Sequence, residues 1–206
     1  MIYVVSGYRR SGTTAMMKAL HCGGLPVLCN SKIDDNCKRL PEVDGYKPTP
    51  TGLQFEIGQS FYMDPDFMAQ YVVKNPGSAV KVFFDGLPNL PAHDYVVVFM
   101  HRDPGEIRES LQRAEDYRKA INMRDNRKDR LPFDVYKDYT PEHVDYCYRI
   151  ARQRRDMKVI DVNFVDLVRK PIEVLSWIRN IIPIDLEKAA EAIDPDWYRC
   201  RAKVVA

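Results

Sequence analysis

Short runs of apolar, β-branched residues recur along the chain, separated by stretches with helical periodicity. IYVVS at 2–6, AVKVFF at 79–84, YVVVFM at 95–100 and KVIDVNF at 158–164 read as strands. The last three run almost without alternation, as strands do when both faces are covered, so they call for a parallel sheet between two helical layers. Helices are predicted over 12–21, 65–73, 104–120, 141–156 and 171–182. The alternation of the two predicts an α/β fold, a three-layer sandwich around a mainly parallel central sheet. Two stretches break the pattern. PEVDGYKPTPTGL at 41–53 carries three prolines and two glycines and reads as a surface loop. INMRDNRKDRLPFDVYKDYT at 121–140 is polar, charged and punctuated by Pro132, and reads as an insertion serving as a substrate-binding or lid segment.

Composition narrows the picture. The 206 residues fit one domain, and a net charge of +2 argues against a protein that coats nucleic acid or lies on a membrane. Any basic site must be local. No stretch approaches the roughly 20 apolar residues of a membrane span, and the first residues lead straight into a turn with no signal-like segment. The five cysteines, Cys22, Cys29, Cys37, Cys147 and Cys200, are odd in number and form no C-x-x-C pair. Neither a disulfide framework nor a zinc site is indicated, and a reducing, cytoplasmic setting is expected.

The first strand runs into Gly7-Tyr8-Arg9-Arg10-Ser11-Gly12-Thr13-Thr14. This keeps the G-x-x-x-x-G spacing of a P-loop but sets Thr13 where the loop lysine belongs. Backbone N–H groups from about Arg10 to Thr14 would still face one concavity, backed by the positive end of the helix that follows. Arg10, two places before the second glycine, would lie over the mouth, which suits fewer phosphates and a reacting group just outside the cradle. A second anion site is suggested by YVVVFMHRDPGEIRES at 95–110. Asp103 can cap the helix, Pro104 fits its first turn and Glu106 complements its dipole. Ser110 returns to the face on which the helix begins, so Arg102 and Ser110 can grip one anion. The alternative is a surface salt bridge from Arg102 to Asp103 or Glu106, with Ser110 at a solvated helix position.

Y-R-R-S-G-T-T resembles the 5′-phosphosulfate loop of the sulfotransferases that use 3′-phosphoadenosine 5′-phosphosulfate (PAPS), whose pattern is [K/R]-[S/T]-G-T-T after the first strand. Arg102 followed eight residues on by Ser110 is similar to that family's 3′-phosphate pair, and Phe164, Asp166, Leu167 and Pro171 to its C-terminal strand end and helix. Residues 22–78 and 113–145 are poorly covered by the resemblance. It implies a single P-loop-like domain of the nucleoside triphosphate hydrolase type, with PAPS as co-substrate and no metal. Arg9, Arg10, Ser11, Gly12, Thr13, Thr14, Arg102 and Ser110 would bind the nucleotide. Arg10 would stabilise charge on the leaving oxygen, with Lys81 second. The family's histidine after that lysine is absent: residues 82–86 are VFFDG and the next histidine is His93. The general base is therefore open between Glu56 and Asp85, with His101 third. The family's R-K-G stretch is also absent, although Arg199, Arg201 and Lys203 stand near the C-terminus. YRIARQRR at 148–155 reads as a solvated helix face.

The acceptor implied is a small molecule, glycan or peptide bearing a hydroxyl or amine, with no nucleic acid beyond the nucleotide. Its identity and the oligomeric state are not legible. Two other readings stand beside this one: a Mg-dependent nucleotide or small-molecule kinase, and a non-catalytic nucleotide-binding protein of the same fold.

Overall fold

Five parallel strands form one sheet, in the spatial order β2 (Val27–Leu28), β3 (Ala79–Lys81), β1 (Ile2–Gly7), β4 (Tyr95–His101) and β5 (Met157–Asn163). The computed structural model describes residues 1–38, 41–42, 46, 55–58, 62–125 and 140–199. Most of the loop expected at 41–53, residues 126–139 of the expected insertion, and Arg201 and Lys203 lie outside the described residues.

Strand β1 (Ile2–Gly7) leads through the glycine-bearing loop into α1 (Thr13–Cys22). After β2 (Val27–Leu28) come α2 (Ser31–Lys38) and α3 (Pro65–Val73), then β3 (Ala79–Lys81). A 3-10 turn at Phe84–Asn89 follows, then β4 (Tyr95–His101) and α4 (Pro104–Asp125). The C-terminal part holds α5 (Pro141–Gln153), β5 (Met157–Asn163), α6 (Phe164–Arg169), α7 (Pro171–Arg179), α8 (Leu186–Glu191) and a 3-10 turn at Pro195–Trp197.

Alternate residues of each strand face opposite layers, so each face of the sheet has its own core. On one side Tyr3, Val5, Val96 and Val98 meet Met16 and Leu20 of α1, Leu167 of α6, and Leu175 and Ile178 of α7. On the other, Ile2, Val4, Val97 and Phe99 meet Met68 and Val72 of α3, Phe84 and Leu87 of the 3-10 turn, and Cys147 and Ala151 of α5. The sandwich anticipated from the apolar runs is thus present.

Three local expectations are corrected. The run at 79–84 stays in the sheet only to Lys81, because Phe83 and Phe84 turn down into the second core and Pro88 suits a 3-10 turn. β5 ends the sheet order and alternates buried with exposed residues, in place of the continuous burial read from its composition. Phe164-x-Asp166-Leu167 is not a strand end but the first turn of α6, opened by Asn163, whose side chain accepts from Val165 and Asp166 N–H. In addition α4 continues to Asp125, taking in the first residues assigned to the insertion.

Candidate functional site

The chain leaves β1 first toward β2 and β3 on one side, and only later crosses to β4 and β5 on the other. The carboxyl end of β1 is therefore the point at which the strand order reverses, where open α/β sheets form a crevice. Register brings the relevant residues there: Val5 lies opposite Lys81, and Gly7 opposite Met100, two residues before Arg102.

The loop itself is tight. Ser11 N–H donates to the Tyr8 carbonyl at 3.1 Å, and Gly7 and Gly12 have φ of 136° and 99°. A Cβ on Gly12 would stand 2.2 Å from the Phe164 ring, so only glycine fits between the loop and α6. Arg10 has φ of 69°, a left-handed backbone that a side-chain-bearing residue adopts at a cost of ~1–3 kcal/mol. Helix α1 opens on Gly12, with no side chain capping it and no acidic residue in its first turn. In contrast α3, α5 and α8 are capped by Asp64, Thr140 and Asp185. The free N–H groups at the start of α1, and its dipole, suit an anion. Ser11 is 1% exposed, and its Oγ has no hydrogen-bond partner among the described residues. A buried hydroxyl in that state is costly until a ligand or water satisfies it.

Two clusters flank the loop. In the first, the Lys81 side chain is 1% exposed; its Nζ donates to Thr14 Oγ1 at 3.2 Å and pairs with Glu56 Oε1 at 3.2 Å. Glu56 is set by an isolated parallel bridge to Lys81 and by its carbonyl, which accepts from Asn30 N–H at 2.8 Å. Arg9 lies with its guanidinium 4.1 Å from the ring centroid of Phe83, two residues past the end of β3. In the second cluster, Arg10 Nε donates to Ser110 Oγ at 2.9 Å, while Arg102 donates to the Arg10 carbonyl at 3.0 Å and pairs with Glu106 at 2.9 Å. Arg102 and Ser110 thus both meet the loop, through Arg10. The pairing of Arg102 with Glu106 is not a surface bridge, since the two side chains are 5% and 2% exposed.

The structure brings Glu56, Lys81 and Thr14 together, and Arg10, Arg102 and Ser110 together. Asp85 lies on the 3-10 turn, where Tyr62 OH donates to its Oδ1 at 3.5 Å. His101 is paired with Asp161 of β5 at 2.8 Å, and Asp161 also accepts from Tyr148 and Arg152 of α5. Sequence reasoning missed Tyr198, which donates to Glu106, and Phe164 as the wall behind Gly12. Tyr198 carried no signal, lying beyond any motif. Among the described residues no group of three or more His, Cys, Asp or Glu is placed to hold a metal ion, and no helix is long and apolar enough to cross a membrane.

No protein-family model matches the chain, and no curated protein matches it. Solved structures do resemble it. A sulfotransferase domain from the curacin biosynthetic pathway is 16% identical over 92% of this chain and 76% of its own, with a TM-score of 0.47. The sulfotransferase STF1 of Mycobacterium tuberculosis H37Rv is 14% identical over 93% of this chain and 70% of its own, also at 0.47. An unliganded sugar kinase from Janibacter sp. HTCC2649 is 12% identical over 91% and 96%, at 0.40. The protein itself is an α/β sandwich whose all-parallel sheet presents a P-loop-like turn at its switch point.

Proposed function

We propose that this protein is a sulfotransferase that moves a sulfuryl group from PAPS to the hydroxyl or amine of a small-molecule, glycan or peptide acceptor. The observation that carries the reading is the Lys81 ammonium on Thr14 Oγ1. Thr14 occupies the loop position whose hydroxyl, in a P-loop triphosphatase, ligates Mg²⁺. Here that hydroxyl receives a buried cation built into β3. A fixed single positive charge suits transfer of a sulfuryl group, which carries less negative charge than a phosphoryl group.

The residues fit a bound phosphate: the unpartnered Ser11 hydroxyl and the uncapped α1 terminus both call for an anion. Arg9 to Thr14 would hold the 5′-phosphate end, and Arg102 with Ser110 the 3′-phosphate. When bound, the co-substrate supplies a sulfuryl group whose departure leaves charge on a phosphate oxygen. Lys81 and Arg10 would supply positive charge for that oxygen, held in advance by their contacts with Thr14 and Ser110. Glu56, oriented by Lys81, accepts the acceptor's proton, and Asp85 is the alternative.

Calorimetric titration separates this reading from its rivals. Adenosine 3′,5′-bisphosphate is expected to bind equally with and without Mg²⁺, and ATP weakly in both cases. Tight ATP binding that depends on Mg²⁺ would replace the proposal with a kinase. Bisphosphate binding with no PAPS turnover across phenol, sugar and peptide acceptors would leave a nucleotide-binding protein without catalysis.

A further inference from the structure

We propose that Glu106 and Tyr198 are positioning residues for the phosphate loop, acting through Arg102 on the backbone of Arg10. The inference rests on the reading of that loop as a phosphate cradle and adds to it a supporting network that no motif announces.

Arg102, Glu106 and Ser110 are spaced four residues apart from the end of β4 into α4, so they lie along one face. Arg102 and Ser110 meet the loop directly, and Glu106 meets Arg102. Glu106 pairs with Arg102 through Oε2 at 2.9 Å and receives the Tyr198 hydroxyl on Oε1. Burial, together with the hydrogen bond to Glu106, raises the Tyr198 pKa above its ordinary value, consistent with a phenol that stays a donor. The Arg102 guanidinium lies against the rings of Phe164 and Tyr198, 4.8 and 5.7 Å from their centroids. Phe164 in turn closes on Gly12. The cluster therefore touches the loop at two points, the carbonyl of Arg10 and the open side of Gly12.

Burying such an ion pair is expensive, and an apolar pair of similar volume would often serve stability as well. What an apolar pair cannot do is donate to a carbonyl. Arg102 does so at 3.0 Å, to the one residue between Gly7 and Gly12 that bears a side chain and has positive φ. A left-handed arginine persists only where its surroundings over-determine it. Arg102 holds its carbonyl and Ser110 its Nε, and Glu106 with Tyr198 keeps Arg102 in place.

The sign of the effect of an isosteric substitution that removes the Glu106 charge tests the idea. If Glu106 served only to balance charge or to stabilise the fold, Glu106→Gln would leave Arg102 less compensated, and anion affinity would stay level or rise. Positioning requires affinity to fall. The full chain is titrated with AMP, which reads the 5′ site alone, by ³¹P nuclear magnetic resonance at a temperature where circular dichroism shows each variant folded. Glu106→Gln is expected to weaken AMP about tenfold and Tyr198→Phe about threefold, the latter keeping ring and packing. Should Glu106→Gln fail to fold, Tyr198→Phe decides alone. Unchanged or tighter AMP binding in the folded variants overturns the inference while the cradle stands. A wild-type protein that binds neither AMP nor adenosine 3′,5′-bisphosphate removes the cradle and the inference together.

Discussion

At Lys81 a full positive charge is buried beneath a hydroxyl and beside a carboxylate, and the consequences of removing it are separable. Lys81→Met takes away charge at the proposed leaving oxygen and leaves Glu56 without its partner. Turnover is expected to fall by about 10²–10³, the range seen when one preorganised group is lost. Stability is expected to fall as well, by up to ~3 kcal/mol, since breaking a largely buried pair strands the other charge. Adding Glu56→Gln restores much of the stability, read by urea unfolding, but none of the turnover. A double variant that regained activity would show that Lys81 only neutralises Glu56. The lysine was visible in sequence as a charge inside an apolar run, and Arg10 and Ser11 as members of the loop. The Glu56 partnership was not, because it depends on a bridge between segments far apart in the chain.

Among the elements, the 3-10 turn at Phe84–Asn89 is fastened from outside by α5. Arg154, just past the end of that helix, donates to the carbonyls of Leu90 at 2.6 Å and Pro91 at 3.0 Å, and is held by Asp156 at 2.7 Å. Hydrogen bonding from Arg154 is the main cause that lowers the Asp156 pKa to about 2. A carboxylate depressed in the folded state adds stability that is complete above its unfolded value and is lost as pH falls toward about 2. Asp156 is partly exposed, so the contribution is of order 1–2 kcal/mol. Wild-type protein is expected to lose that increment between about pH 4 and about pH 2, and Asp156→Asn to be less stable at neutral pH with a shallower acid limb. Equal acid slopes in urea titrations would dismiss the bracket. The longer helices α1, α3, α4, α5 and α7 and the central strands were legible from periodicity, but the short α2 and α8 and the two-residue β2 were not. The truncated β3, the alternation of β5 and the helical Phe164–Leu167 turn were not, because each is set by where a segment falls in the sheet order.

For the molecule as a whole, the site gathers β1, β3, α1, α4, α6 and the C-terminal turn onto one loop. A ligand that satisfies the loop therefore acts on elements from both ends of the chain. Binding only to the folded state adds about 2.7 kcal/mol at a hundredfold excess over Kd. For a chain of this size that corresponds to a rise of about 5–10 °C in Tm, read calorimetrically with adenosine 3′,5′-bisphosphate. A rise under ~1 °C at millimolar nucleotide would show that the folded chain does not bind it. The left-handed backbone at Arg10 has a consequence for the gene as well as the fold. On the role proposed for Arg10, codon 10 sets heat endurance against catalytic output: a library sorted for survival alone is expected to drift there to glycine or asparagine, and one sorted for product to keep the costly arginine.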